Sequence, residues 1–327
     1  MSSRPVFRKQ DDLPGATRLE AQGLAWLAQA MADGGACVVP TRAGDGWLEE
    51  PRLTDSHITP TAAEAFGRAL AVTHAAGAPA FGCAPPGWDG RTQMGRSNIR
   101  LRPHTVESST PRRWGEFYAA DRIAPYIRPG RDAGTLSAAD AALLERVCER
   151  LADGDFDSDQ PELTRRAAAE RGAAGAVART HGDLWTGNVL WVPTAEVAAW
   201  APPAAGRGPQ RDGAEHGHAT PREARPVSAD AHTGHKRHSD GGAGGVVGVL
   251  IDPLAQGAHA ETDLAALGVF GQPYLERIVA GYHEASPLAD GWRERVGLHQ
   301  LHLLMIHVFL FGGGYGPQAV AVARRYA

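Results

Sequence analysis

The stretch His181-Gly182-Asp183-Leu184-Trp185-Thr186-Gly187-Asn188 lies between a predicted helical region and the apolar run 189–192. It places an aspartate and an asparagine five residues apart on one predicted loop. In phosphoryl transfer an aspartate accepts the proton of the attacking hydroxyl, and an asparagine oxygen binds Mg²⁺. The stretch therefore predicts a phosphoryl-transfer site with Asp183 and Asn188 at its centre.

A second metal carboxylate is expected, and Asp252 is the candidate because it directly follows the apolar run 246–251. Sixty-four residues separate Asn188 from Asp252. Residues 193–245 between them are rich in Pro, Gly, Ala, Arg and His. Such a segment buries too little apolar surface to offset its ordering entropy, so we predict a disordered insertion. Without it eleven residues remain, which predicts two neighbouring strands with both side chains at one cleft.

The loop and its surroundings resemble the fructosamine kinase (ketosamine-3-kinase) family, which shares the protein-kinase-like fold with aminoglycoside phosphotransferases and choline kinases. His-Gly-Asp followed by Gly-Asn is common to that superfamily, whereas Trp185 after Leu184 is characteristic of the ketosamine branch. The resemblance covers nearly the whole chain except the insertion, and the further matching segments are Trp114–Tyr118 with Arg122, Ile251–Pro253, Gly257–Leu264 and Leu301–Tyr315.

This resemblance implies a role for five residues. Asp183 would be the catalytic base, Asn188 and Asp252 the Mg²⁺ ligands, and Trp185 and His307 part of the sugar site. A core position is the alternative for Trp185, but its place two residues from Asp183 favours stacking on a substrate. His307 lies in an apolar helical run, where a core histidine and a substrate contact are equally expected.

Other polar or flexible positions near these motifs are expected to be structural. His181 is predicted to shape the catalytic loop through hydrogen bonds. We favour structural roles for Glu261 and Asp263, and Asp263 precedes a helical run as an N-cap does. The triple glycine 312–314 follows a predicted helix and is expected to end it.

The first 55 residues are predicted to form the small lobe. Kinase-like folds need a strand lysine on the ATP phosphates, paired with a helix glutamate. Lys9 ends a predicted strand, and Glu20 lies on the apolar face of the next helix, where an unpaired charge would be costly. Resemblance favours an ion pair between them. A capping box from Thr17 to Glu20 is the alternative.

Two further features concern nucleotide binding. Glu50 to Leu53 is expected at the lobe hinge, where the family's backbone contacts adenine. Only eight residues precede Lys9, so the glycine-containing strand pair that usually covers the ATP phosphates has no room before it. Another covering segment, weak nucleotide binding and an upstream start are the alternatives, and we expect the first.

The predicted elements give an α+β, protein-kinase-like two-lobed fold with a short N-terminal lobe and a mainly helical C-terminal lobe. The lobes are residues 1–55 and 56–327, the second with the insertion 193–245. Periodicity and breakers predict strands at 5–9, 36–40, 46–53, 189–192 and 246–251, and helices at 17–31, 62–74, 114–126, 137–151, 263–270, 273–285 and 292–311.

Composition limits the classes of partner. The chain has 327 residues, 43% of them hydrophobic, and a formal net charge of −4, which favours neither nucleic acid nor a polybasic membrane contact. The three cysteines form no C-x-x-C pair, and the sequence shows no secretory signal or membrane-length apolar run. We therefore expect a cytoplasmic protein without nucleic-acid or membrane partners. Its oligomeric state stays open.

We predict an ATP- and Mg²⁺-dependent small-molecule kinase. The resemblance implies that it phosphorylates the 3-hydroxyl of ketosamines, on free glycated amines or on protein lysines, and that breakdown of the product would release the amine and so repair glycation. Two rivals remain: an aminoglycoside or other amino-sugar phosphotransferase, and a nucleotide-binding pseudokinase without activity. Trp185 argues against the first, and intact Asp183, Asn188 and Asp252 argue against the second.

Overall fold

A computed structural model describes residues 5–90, 92–104, 112–200 and 245–327. In these residues the chain is an α+β protein, as predicted. The strands are β1 Val6–Gln10, β2 Cys37–Val38, β3 Arg42–Gly44, β4 Trp47–Pro51, β5 Thr92–Met94, β6 Ser97–Ile99, β7 Ala178–Thr180, β8 Val189–Pro193, β9 Val246–Leu250 and β10 Gln256–Ala258. The helices are α1 Ala16–Ala28, α2 Pro60–Ala75, α3 Trp114–Tyr118, α4 Ala124–Asp132, α5 Ala138–Asp153, α6 Glu162–Glu170, α7 Thr194–Val197, α8 Ala260–Leu267, α9 Leu275–Ala285, α10 Trp292–Phe311 and α11 Tyr315–Ala323.

The N-terminal segment forms an antiparallel sheet in the order β1-β4-β3, with α1 packed beside it. Asp11 starts this helix: its carboxylate accepts hydrogen bonds from the amides of Gly15 and Thr17, both at 2.7 Å. Thr17 lies inside the helix and donates its hydroxyl to Asp11. The capping-box alternative for Glu20 is therefore wrong, because Asp11 satisfies the free amides of the first turn.

A second sheet, in the order β2-β9-β8, joins the two parts of the chain. β8 and β9 are antiparallel, with Val189 opposite Leu250, which confirms the compact strand pair predicted around the insertion. β2 pairs with β9 in parallel, so the segment assigned to the small lobe also contributes a strand to the sheet beneath the cleft.

The chain is ordered beyond the predicted start of the insertion. Pro193 belongs to β8, and the short helix α7 follows it at once. Val197 is buried and Trp200 packs against the core, because these apolar side chains still find partners on the sheet. Residues 201–244 of the predicted insertion lie outside the described residues.

The described residues after position 55 are mainly helical, with α2 to α6 and α8 to α11 as their principal elements. The single helix predicted at 114–126 is divided by a π-helical turn at Ala119–Ile123. The Tyr118 hydroxyl donates to the carbonyls of Leu298 and His299, at 3.0 and 2.7 Å, and accepts from the His302 amide. The apolar periodicity of residues 114–126 gives no sign of these contacts with α10 and therefore does not predict the π-helical turn. No described helix is both long and apolar enough to cross a bilayer.

The strand pair β5–β6 escaped the sequence analysis. Its turn includes Gly95 at a φ of +54°. Arg96 in the same turn donates to the carbonyls of Phe309 and Leu310, at 3.2 and 2.8 Å. These bonds satisfy free carbonyls in the last turn of α10 and fix the hairpin beside the end of that helix.

Candidate active site

The loop 181–188 connects β7 to β8 and ends in a short 3-10 turn, Thr186–Asn188. Gly182 has a φ of +80°, and a Cβ at this position would lie 2.1 Å from the Leu254 carbonyl oxygen. Only glycine fits that close approach in a left-handed conformation. The loop thus folds tightly against the chain that follows Asp252.

Asp263 holds this loop from below. Its carboxylate oxygens accept the amides of His181, at 2.6 Å, and Gly182, at 3.0 Å. The expectation that Asp263 caps a helix is wrong, because His259 occupies that position in α8. Asp263 is instead a buried positioning residue, and these hydrogen bonds together with neighbouring His74 keep its pKa low despite its burial.

His74 and Tyr282 extend the support beneath Asp263. His74 Nε2 lies 3.2 Å from the Asp263 carboxylate, and His74 Nδ1 lies 2.9 Å from the Tyr282 hydroxyl. All three side chains are buried. Sequence reasoning missed this chain of contacts because its members come from α2, α8 and α9, and no local pattern connects them.

His181 shapes the loop, as predicted. Its Nε2 donates to the Ile251 carbonyl at 2.8 Å, and its Nδ1 accepts from the Asp183 amide at 3.3 Å. Burial lowers the pKa of the ring, so the imidazole is neutral at pH 7 and connects the loop 181–188 to the end of the strand before Asp252.

Asp183 and Asn188 lie side by side. The Asn188 side-chain nitrogen donates to the Asp183 backbone carbonyl at 2.8 Å and to its carboxylate at 3.1 Å. This arrangement commits the amide nitrogen and leaves the Asn188 side-chain oxygen as the group available to a cation. Burial raises the pKa of Asp183 to about 7, and the nearby charges of Asp252 and Asp263 add to the rise.

Asp252 reaches the same cleft from the other strand. The Ile251 amide donates to the Asn188 carbonyl at 3.2 Å, so the ends of the two strands stay in register. Asp252 has a φ of +51°, a conformation that few non-glycine residues adopt. Its side chain is 46% exposed, and the cavity therefore has access to this carboxylate.

Lys9 meets three carboxylates. Its ammonium lies 2.6 Å from Glu20 and 3.8 Å from Glu50, and it also hydrogen-bonds Asp252. Burial alone would lower the pKa of Lys9, but the bonds to Asp252 and Glu20 outweigh it and raise the pKa. Burial raises the pKa of Glu20 to about 8. One ammonium cannot neutralise three ionised carboxylates, so full ionisation would leave an excess of negative charge, and Glu20 keeps its proton near neutral pH.

Glu50 and Leu53 differ in what they contact. Glu50 belongs to β4, opposite Phe7 in β1, and its side chain is buried beside Lys9. One of its carboxylate oxygens has no hydrogen-bond partner among the described residues, and burial raises the pKa of Glu50. Leu53 follows β4 and packs on the core. Glu50 thus lies beside Lys9 as well as belonging to the predicted hinge segment 50–53.

A cavity of about 470 Å³ brings these groups together. Asp183, Asn188 and Asp252 line one side, and Glu20 lines another. The loop 12–14 and the turn residues 93–95 of the β5–β6 hairpin close it. Two carboxylates and an amide oxygen are the ligand types that Mg²⁺ prefers, so the donor set and the excess of carboxylates over ammonium groups fit a magnesium ion.

Trp185 lines this cavity, whereas His307 is not among the residues that line it. The Trp185 indole packs on Gly187, where a Cβ would come within 2.2 Å of the ring. Trp185 and His307 do not touch directly: each contacts Phe270, at ring-centroid distances of 5.8 and 5.1 Å. Both side chains are partly buried, so neither is an ordinary core residue.

A larger cavity, of about 870 Å³, lies between α8, α9 and α10. Its lining is mostly apolar and includes none of the site residues predicted from the sequence. Size alone therefore does not identify the candidate active site, since the smaller cavity contains Asp183, Asn188 and Asp252.

Comparisons with known proteins agree with this geometry. The sequence profile of the fructosamine kinase family matches residues 235–326. The Synechocystis protein named "Probable ketoamine kinase slr1563" is 24% identical over 254 residues, which is 78% of this chain and 58% of the relative. Mouse ketosamine-3-kinase is 30% identical over 76 residues, 23% of this chain and 24% of the relative. This chain thus spans little more than half of the first relative's length.

Two solved structures extend the comparison to the fold. A crystal structure from Haemophilus somnus, described as that of a fructosamine-3-kinase, covers 98% of this chain and 82% of its own at 16% identity and a TM-score of 0.60, and it supports the fold alone. A Thermobifida fusca structure of the same description is 35% identical, covers 99% of this chain and 85% of its own, and has a TM-score of 0.67. At that identity over nearly the full length, the chain belongs to the fructosamine kinase family.

Proposed function

We propose that the protein is an ATP-dependent kinase that phosphorylates the 3-hydroxyl of ketosamines of the fructosamine or ribulosamine type. The observation that carries the proposal is the convergence of Asp183, Asn188 and Asp252 on one cavity beside Lys9. Family membership favours this chemistry over other uses of the same groups. The acceptor would be a free glycated amine or a glycated protein lysine.

Asp183 is the catalytic base in this proposal. It would accept the proton of the sugar hydroxyl while the γ-phosphoryl group passes from ATP to that oxygen and ADP leaves. A base is most effective when its pKa lies near the working pH, and burial brings the pKa of Asp183 to about 7. Asn188 and Asp263 fix its position through the contacts described above.

Lys9 would bind the ATP phosphates, with Glu20 and Glu50 orienting its ammonium. The chain after β4, as far as Leu53, would contact adenine through its backbone. The expected covering segment for the phosphates is the loop 12–14 together with the hairpin turn 93–95, since both face the cavity. This assignment replaces the glycine-containing strand pair of other kinase-like proteins.

Asn188 and Asp252 would bind Mg²⁺. When bound, the ion would neutralise phosphate charge during transfer. The carboxylate excess around Lys9 supports this assignment, because a divalent cation beside Asp252 would relieve it. Trp185 and His307 would contact the sugar, and phosphorylation at O3 would destabilise the ketosamine so that its breakdown releases the amine.

A phosphorus-31 NMR assay with ATP and Mg²⁺ tests the proposal. Fructosamine, ribulosamine and kanamycin are offered in parallel to the wild type and to Asp183→Ala. We expect a new phosphomonoester signal with a ketosamine, no signal with kanamycin, and loss of the signal in the variant. Turnover of kanamycin alone would favour an amino-sugar phosphotransferase. Absence of turnover with all three, despite ATP binding, would favour a pseudokinase.

A further inference from the structure

A row of aromatic side chains leads away from the catalytic cavity. We call Trp185, Phe270, His307, Phe311 and Tyr315 the aromatic shelf. Trp185 contacts Phe270 edge-on at 5.8 Å between ring centroids, and Phe270 lies 5.1 Å from His307. His307 contacts Phe311 at 5.3 Å and Tyr315 at 4.9 Å. The rings form one continuous surface rather than separate contacts.

The inner end of the shelf belongs to the active site. Trp185 lines the same cavity as Asp183. Leu303 and Ile306, which precede His307 in α10, line a small void beside Asp183. The His307 Nδ1 donates to the Leu303 carbonyl at 2.8 Å, which fixes the imidazole on the helix. A molecule leaving the reacting centre on this side therefore passes over the rings.

The outer end of the shelf is open. Phe311 is 67% exposed and Phe270 is 37% exposed, which is unusual for side chains of this size. Beyond Phe311 the chain continues through Gly313 and Gly314, where an added Cβ would meet no atom within 4 Å. Among the described residues the surface is open at Gly313 and Gly314, although Thr135 approaches Gly312, so this end has room for an extended molecule.

We propose that the aromatic shelf is the subsite for the carrier of the glycated amine, and that Phe311 confers preference for ketosamines on a peptide. The inference rests on the proposed function, and it adds residues that select among the substrates of that reaction. Carbon 1 of the ketose bears the amine, so the carrier begins beside the reacting sugar. Trp185 and Phe270 offer ring faces to the charged amine, and such faces attract cations.

The length of the carrier distinguishes a glycated peptide from a glycated free amino acid. Each step along the shelf is between about 5 and 6 Å, so three steps separate Trp185 from Phe311. A lysine side chain would cross the first rings, and its peptide backbone and neighbouring side chains would reach Phe311 and Tyr315. A free amino acid has nothing to place there. Exposed aromatic rings at the end of a pocket are frequent anchors for peptides.

The test compares two substrates that share the reacting group. One is free Nε-fructosyl-lysine, and the other is an end-capped pentapeptide with the same residue at its centre. We expect Phe311→Ala to lower kcat/KM about tenfold for the peptide and less than twofold for the amino acid. Phe311→Leu should fall between the wild type and Phe311→Ala, because it keeps apolar area but not the ring.

Tyr274→Asn is the matched control. Tyr274 is 47% exposed and makes none of the ring contacts of the shelf. Its φ of +55° suits asparagine, so the fold should survive and both substrates should react as in the wild type. Equal effects of Phe311→Ala on both substrates, or no effect on either, would overturn the carrier subsite alone. If the wild type phosphorylates neither substrate, the proposed function itself fails, and the subsite falls with it.

Discussion

Two clusters of charged side chains, one at the cleft and one beside helices α8 and α10, use their carboxylates to different ends. The cleft cluster consists of Lys9, Glu20, Glu50 and Asp252, and the helix cluster consists of His259, Glu261, Arg295 and His299. In the helix cluster Arg295 donates to both oxygens of Glu261, at 3.0 and 2.6 Å. In the cleft cluster three carboxylates share one ammonium.

Ligand atoms alone would favour the helix cluster as a metal site. One atom each from His259, Glu261 and His299 lie within 4.8 Å of one another, and all three residues are buried. Arg295 already neutralises Glu261, however, and a cation there would meet the guanidinium at hydrogen-bond distance. Charge balance and access to solvent, rather than the number of donor atoms, distinguish a structural cluster from a site that accepts Mg²⁺.

Removing the exposed carboxylate of the cleft cluster should give the largest effect. We expect Asp252→Asn to lower kcat about 1,000-fold with the best ketosamine, because the proposed Mg²⁺ would lose a charged ligand. The melting temperature should stay the same or rise, since the substitution removes the repulsion that Asp252 exerts on Glu20 and Glu50.

Steady-state kinetics at saturating ATP and Mg²⁺, with a thermal melt of each sample, measure both effects. Asp89→Asn is a suitable control, because Asp89 is a surface carboxylate, 83% exposed, that pairs with Arg18. A kcat within tenfold of the wild type would show that Asp252 is not a metal ligand.

The sequence predicted the cleft better than its surroundings. The loop 181–188 and Asp252 are encoded by local motifs, and the strand pairing that joins them follows once the insertion is set aside. Asp263 was misassigned because its partners, the amides of His181 and Gly182, lie some 80 residues earlier in the chain. The contact between Lys9 and Glu20, which the family resemblance favoured, is present in the structure.

Other elements depend on tertiary contacts that no short pattern records. The hairpin turn 93–95 reaches the cavity because Arg96 binds the last carbonyls of α10. The π-helical turn 119–123 interrupts a helix whose apolar periodicity looks continuous. The hairpin turn and the π-helical turn leave the local composition and the apolar periodicity unchanged, so propensity and periodicity cannot predict them.

Breaking the helix cluster should affect stability rather than catalysis. Arg295→Met leaves Glu261 buried without its cation, and loss of one partner of a buried pair costs about 3 kcal/mol of unfolding free energy. The double variant Glu261→Leu, Arg295→Met should recover most of that loss, since it leaves no unpaired charge. The KM for ATP should not change in either variant.

Urea unfolding measures these differences, and Arg68→Met supplies the surface comparison. Arg68 pairs with Glu284 at 2.8 Å, but the two side chains are 40% and 68% exposed, so its loss should cost below about 1 kcal/mol. Equal destabilisation by Arg295→Met and Arg68→Met would contradict the structural role given to the helix cluster.

The two clusters should also respond to acid in opposite directions. Burial lowers the pKa of His259 to about 3, so the unfolded chain binds more protons than the folded chain between that value and about 6.5. The stability that neutral His259 contributes is complete above pH 6.5 and is lost as the pH falls toward 3. Glu20, with its pKa raised to about 8, destabilises the fold as the pH rises through the interval from 4.5 to 8.

His259→Asn isolates the first of these slopes. Asparagine can still cap α8, as His259 does through the Glu261 amide, but it does not titrate. Between pH 7 and pH 5 we expect the wild type to lose about 2 kcal/mol more unfolding free energy than the variant. Urea titrations at four or five pH values give the difference directly. Parallel pH dependences would mean that His259 is protonated in the folded protein at pH 5, and the helix cluster would then carry an unbalanced positive charge.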